Sequence, residues 1–191
     1  MRFLTTVAGL LIFLFVVDCV HANQGSKEEI VFIRKYREYG WKEYGADGVR
    51  FPHPIQTLVD FYLVEYRLDA THLTLTKMSA SRPPVRTVLL TVSLNRVQRR
   101  AAQKGLRTAN PSLIQQQCNS NTVIIDDGFH LNVTLTKSDT SQSFSWDGNY
   151  VRELVEFLDV INEVSPEKYR FYKSGQQEAF KQSLLHATEN P

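Results

Sequence analysis

Two hydrophobic periods lie close together in the C-terminal half, and they restrict the fold more than any other feature. Phe129, Leu131, Val133 and Leu135 alternate with His130, Asn132, Thr134 and Thr136, the period of two that gives a strand one apolar and one polar face. Further on, Val151, Leu154, Val155, Leu158, Ile161 and Val164 recur at steps of three and four, with Arg152, Glu153, Glu156, Asp159 and Glu163 on the other side. That is an amphipathic helix, for which Asn149 predicts the N-cap and Ser165-Pro166 the end. Between the two, Ser143 to Trp146 reads as a strand with Phe144 and Trp146 on one face. Val123-Ile124-Ile125 reads as a strand that Asp127-Gly128 turns into the first one. Half-polar strands must bury one face, so the chain is predicted to be α+β: an antiparallel sheet from two hairpin-rich halves, with helices packed on one face.

A similar order runs upstream. Phe61 to Leu68 is rich in strand formers, Asp69-Ala70-Thr71 turns the chain, and His72 to Lys77 resembles His130 to Lys137. Ser79 to Pro84 forms a loop, Val88, Leu90, Val92 and Leu94 alternate, and Asn95 caps a helix running to about Leu106. The two halves suggest a diverged ββ(β)α duplication, with related subdomains near 58–107 and 120–165; chance similarity between hairpins explains the likeness equally well. Ile55, Leu58, Val59, Tyr62 and Tyr66 also fit a helix, with Pro54 in its first turn. Glu28 to Tyr44 is read as a helix, Gly45 to Pro54 and Gly105 to Ser120 as connectors, and Gln176 to His186 as a short helix with Phe180 and Leu184 on one side.

The first 22 residues have the make-up of a cleaved secretory signal: basic Arg2, an uncharged run from Phe3 to Val17, then Val20-His21-Ala22. The run is too short for a membrane span, which needs about 20 residues, and cleavage near Ala22 is expected. An acylated Cys19 fits less well, because Asp18 and Val16 depart from the small-residue pattern. The product is expected to be extracellular or periplasmic, without a transmembrane anchor. Its residues 23–191 are expected to form a single compact domain. Arg2 and Asp18 leave together, so the charge of +2 is kept; so small a value favours neither nucleic acid nor a membrane. Cys118 becomes the lone cysteine, which precludes an internal disulfide.

Little in the sequence resembles catalytic machinery. Cys118 with His130, oriented by Asp126 or Asp127, is the pair to test for nucleophilic chemistry, since a thiolate needs a base and the base an acceptor. No protease signature surrounds the cysteine. The histidines outside the leader, His53, His72, His130 and His186, lack metal-ligand spacing, and neither a phosphate-cradling glycine loop nor a Gly-x-Ser-x-Gly elbow is present. No metal, cofactor or nucleotide is implied. His53 between Pro52 and Pro54 is read as a surface histidine on a stiff loop.

Two stretches suit binding. In Asn95 to Arg107, with Val97, Ala101 and Ala102 expected inward, Arg96, Arg99, Arg100, Lys104 and Arg107 spread a cationic surface suited to phosphates, anionic lipids or an acidic protein. In Arg34 to Gly45, Tyr36, Tyr39, Trp41 and Tyr44 are expected to pack a helix against the sheet, the alternative being a platform for rings. Asn132-Val133-Thr134 is a glycan acceptor if the chain is eukaryotic; Asn110-Pro111-Ser112 is barred by its proline. The leading expectation is an exported, non-enzymatic protein that binds another macromolecule, a protein or an anionic surface. The alternatives are a small secreted hydrolase or transferase and a self-assembling envelope protein.

Overall fold

The computed structural model describes residues 28–46, 48–119, 130–138 and 140–189. Strands β1 (Glu29–Tyr44), β2 (Arg50–Asp69), β3 (His72–Ser79) and β4 (Arg86–Ser93) lead to helices α1 (Arg96–Thr108) and α2 (Pro111–Asn119). Strands β5 (Leu131–Lys137) and β6 (Thr140–Trp146), helix α3 (Arg152–Val164), a 3-10 turn at Glu167–Tyr169 and helix α4 (Gln177–Glu189) follow. Among the described residues the strands form one antiparallel six-stranded sheet, ordered β4-β3-β2-β1-β5-β6. The chain is therefore α+β, with helices packed beside the sheet.

The alternation of β5 holds: Leu131, Val133 and Leu135 are buried, as are Phe144 and Trp146 of β6. They join Ile30, Phe32, Val64, Tyr66, Leu73 and Leu75 on the sheet face that α3 covers with Leu154, Val155, Leu158 and Ile161. The Cα of Gly105 in α1 passes so close to α3 that a Cβ there would lie 2.7 Å from the Phe157 ring. Asn95 caps α1 as expected: its Oδ1 accepts from the Val97 and Gln98 N–H groups, and Gln98 Oε1 accepts from the Asn95 N–H in return, a capping box.

Several expectations fail for identifiable reasons. Glu28 to Tyr44 is a strand, not a helix, because Ile30 to Ile33 are strong strand formers and the segment finds a partner in β2, pairing Glu29 with Asp69 and Tyr44 with Arg50. The same pairing draws Ile55 to Tyr66 into β2, which overrides its helical spacing. The connector after Gly45 shrinks to a tight turn in which Gly45 N–H donates to Val49 O at 2.8 Å and Gly48 takes φ 77°. Pro52, His53 and Pro54 consequently lie within β2, where proline is tolerated because this stretch has a neighbour on one side only.

The second connector holds α2, opened by Pro111 and by a bond from Leu113 N–H to Asn110 Oδ1 at 3.2 Å. Helix α3 is capped at Val151 without a side-chain bond. Asn149 instead donates through Nδ2 to Gln117 O at 2.7 Å, and its own carbonyl accepts the Trp146 indole N–H at 2.8 Å. In α1 the inward residues are Gln98, Ala102 and Leu106; Ala101 points out and Val97 is 75 % exposed. Residues 1–22, expected to be a leader, lie outside the described residues, as do Val123 to Ile125, Asp126, Asp127, Gly128 and Phe129.

The other sheet face is polar. Glu29, Arg67, Glu65 and Arg86 form a ladder of ion pairs at 2.9, 3.1 and 2.7 Å. Thr134 shares a hydrogen bond with Ser143, and Thr136 with Ser141, each at 2.8 Å. No helix among the described residues is long and apolar enough to cross a membrane.

Candidate functional site

The proposed nucleophile is buried, whereas its proposed base is exposed. Cys118 is buried on α2 at 4 % exposure, and burial, with Asp147 adding to it, pushes its thiol up to about 12. His130, exposed just before β5, hydrogen-bonds Asp147 through Nδ1, and Asp126 and Asp127 fall outside the described residues. A thiol so raised is almost wholly protonated at pH 8, and the thiolate is the reactive form. Native protein is accordingly expected to react with a disulfide reagent at pH 8 far more slowly than protein unfolded in guanidinium. Equal rates would show that Cys118 is accessible. Among the described residues no group of three or more histidine, cysteine or carboxylate side chains is placed to hold a metal ion.

The basic residues fare differently. Helix α1 turns its buried side, Gln98, Ala102 and Leu106, toward the core. At about 100° per residue, Arg96, Arg100, Lys104 and Arg107 then fan across about 80° on the opposite side. All four are exposed, and among the described residues no ion pair neutralises any of them. Arg99 leans away, its Nε donating to Leu94 O at 2.8 Å. Lys137 Nζ donates to Ala109 O at 3.3 Å and also bonds Arg107 O, so a further cation sits at the C-terminal end of α1, where the helix dipole favours it. Asn132 is exposed on the polar sheet face, accepting from Ser145 Oγ at 3.4 Å.

The aromatic stretch becomes two things. β1 pairs with β5 only as far as Arg34, opposite Leu131, and β2 pairs with β3 only from Tyr62, opposite Ser79. The intervening residues 35–61 thus continue past the sheet as a two-stranded arm. At its base, Tyr36 stacks on Tyr62 at 5.6 Å and meets Tyr169 edge-on at 5.7 Å. The Tyr36 hydroxyl hydrogen-bonds that of Tyr66, which donates to Tyr169 O at 2.8 Å. Burial, followed by the neighbouring Tyr36, pushes the Tyr66 phenol well above the ordinary tyrosine range, which makes this cluster a clasp rather than an acid. Farther out, Tyr39 at 51 % and Trp41 at 70 % exposure, with Tyr44, are not packing residues at all.

Sequence reasoning missed the arm. Its signal was the stretch Arg50 to Asp69, which is strand-like but too long for its sheet neighbours and carries two prolines at one end. Neither the family models, the curated proteins nor the solved structures with which the chain was compared match it.

Proposed function

We propose that the protein is an exported, non-enzymatic binding protein that lays the cationic face of α1 on an anionic macromolecular surface. The observation that carries this reading is the set of four exposed cations, Arg96, Arg100, Lys104 and Arg107, which have no acidic partner among the described residues and lie on the side of the helix opposite the core. Two exposed cations elsewhere do find carboxylates: Arg152 meets Glu156 at 2.9 Å and Lys168 meets Glu38 at 3.3 Å. Unpaired like charges on one helix repel one another and gain only when an anion arrives. The apolar side of α1 is turned to the core, so the helix lies on its target instead of inserting into it. The leader-like segment Phe3 to Val17 supports export.

The test is binding to heparin and to vesicles containing an anionic phospholipid, for wild type and for the variant Arg96→Gln/Arg100→Gln/Lys104→Gln/Arg107→Gln. Wild type is expected to bind at least one probe with an affinity that falls as salt rises, and each cation lost is expected to flatten that salt dependence by about one unit of log–log slope. Equal binding by the variant, or no binding of either probe by wild type, would overturn the proposal. All four side chains are exposed, so the variant is expected to fold.

A further inference from the structure

Beyond Arg34 the outer edge of β1 has no strand beside it among the described residues, and alternate backbone N–H and C=O groups from Lys35 to Tyr44 lie along that edge. Such an edge is a template for another strand. The edge is also regular: where β1 and β2 fall out of step, between Glu38 and Tyr39 and again between Lys42 and Tyr44, the surplus residues are on β2.

What fits it is written along the strand. Tyr36-Arg37-Glu38-Tyr39-Gly40-Trp41-Lys42-Glu43-Tyr44 is chemically symmetrical about Gly40. Set a second such segment antiparallel to the first with Gly40 opposite Gly40. Arg37 then meets Glu43, Glu38 meets Lys42, Tyr39 meets Trp41 and Tyr36 meets Tyr44, and every pair occurs twice. Residues directly opposite share a face and interact. Arg37/Glu43 and Tyr39/Trp41 therefore lie on one side of the joined ribbon, with Glu38/Lys42 and Tyr36/Tyr44 on the other. Slipping one residue one way sets Arg37 against Lys42; slipping the other way sets Glu38 against Glu43. Register is thus specified by repulsion as well as attraction.

We infer that a second copy of this chain docks on the β1 edge, joining two arms into a four-stranded ribbon about a two-fold axis at Gly40. Arg37 and Lys42 have no acidic partner among the described residues. Their intended carboxylates are held only loosely within the chain, Glu43 by Arg50 at 3.8 Å and Glu38 by Lys168 at 3.3 Å, in exposed pairs of small value. A lone two-stranded ribbon is marginal in water, and pairing doubles its strands. The exposed Tyr39 and Trp41 become cross-strand neighbours. None of this depends on α1.

Sedimentation equilibrium tests it. Wild type is expected to be dimeric. Arg37→Glu sets carboxylates against carboxylates, and Glu43→Arg sets guanidinium against guanidinium, so each variant alone is expected to dimerise at least about tenfold more weakly. Mixing the two single variants, or combining both changes in one chain, restores every pair and is expected to restore the dimer. Oxidation supplies a second readout. Opposed Cα atoms in an antiparallel pair lie about 4.5–5.5 Å apart, within disulfide reach. Gly40→Cys is therefore expected to cross-link two chains, and Tyr39→Cys is not, since it faces Trp41. A wild type that stays monomeric at every soluble concentration would overturn the inference. So would single variants that dimerise as well as wild type, or a mixture that fails to recover.

Discussion

Replacing Trp146 with alanine is expected to lower the free energy of unfolding by about 3–5 kcal/mol, the range for removing a fully buried large aromatic side chain. Trp146 ends β6 opposite Leu131 and has no solvent exposure. Its loss removes more than packing. The indole N–H holds the Asn149 carbonyl at 2.8 Å, and Asn149 in turn holds the Gln117 carbonyl of α2 at 2.7 Å, so the substitution leaves a buried acceptor unpaired and loosens α2. Trp146→Phe keeps most of the ring and drops the hydrogen bond, for which about 1–3 kcal/mol is expected. Guanidinium unfolding measures both, and for a chain of this size each kcal/mol is worth roughly 2–4 °C in Tm. Fluorescence supplies a check on the assignment. Trp41 is exposed on the arm, so the alanine variant is expected to retain only long-wavelength, solvent-type emission.

The second large effect is expected at Asn162. This buried side chain on α3 accepts from the Phe171 N–H at 2.6 Å and the Tyr172 N–H at 3.4 Å, and donates to the Tyr172 carbonyl at 2.9 Å. It substitutes for a sheet or helix ladder in a segment that has neither. Asn162→Leu matches the volume and satisfies none of these groups, so about 2–4 kcal/mol is expected to be lost, since each orphaned buried group costs about 1–3. The loss is expected to reach the arm, because Phe171 packs on Phe32 and Tyr66, and Tyr169 receives the Tyr66 hydroxyl. Hydrogen exchange at Phe171 and Tyr172 should accelerate with the fall in stability. An unchanged midpoint and unchanged exchange would mean that this segment is held by its aromatic contacts alone.

These two residues differ in how visible they were beforehand. Trp146 stood in an alternating strand with Phe144, and its inward direction followed from a period of two. The apolar face of α3 and the cap of α1 were legible for the same reason: local sequence and tertiary burial asked for the same thing. Asn162 sat unremarked within a helix, since its partners are nine and ten residues away and no pattern announces them. The largest error, reading Glu28 to Tyr44 as a helix, arose because four spaced aromatics match either a helical stripe or a strand. Pairing with β2 decided between them, and pairing is a long-range fact. The shift in α1 from Val97 to Gln98 has a similar origin. The capping box and the close approach at Gly105 set the rotation, which overrode the preference for burying valine.

The two prolines in β2 have a consequence for how far strand addition can go. The arm has two long borders, and only the one along β1 is chemically symmetrical. The other carries Pro52 and Pro54, whose nitrogens have no proton to give. A newcomer laid along that side would find gaps where donors are needed. Growth by edge-to-edge addition therefore has a start and a stop built into one hairpin: two arms close on each other and present proline-bearing rims outward. A pair closed in this way has no second edge of the β1 kind left to extend, whereas a ribbon open on both sides would be free to lengthen into a fibre.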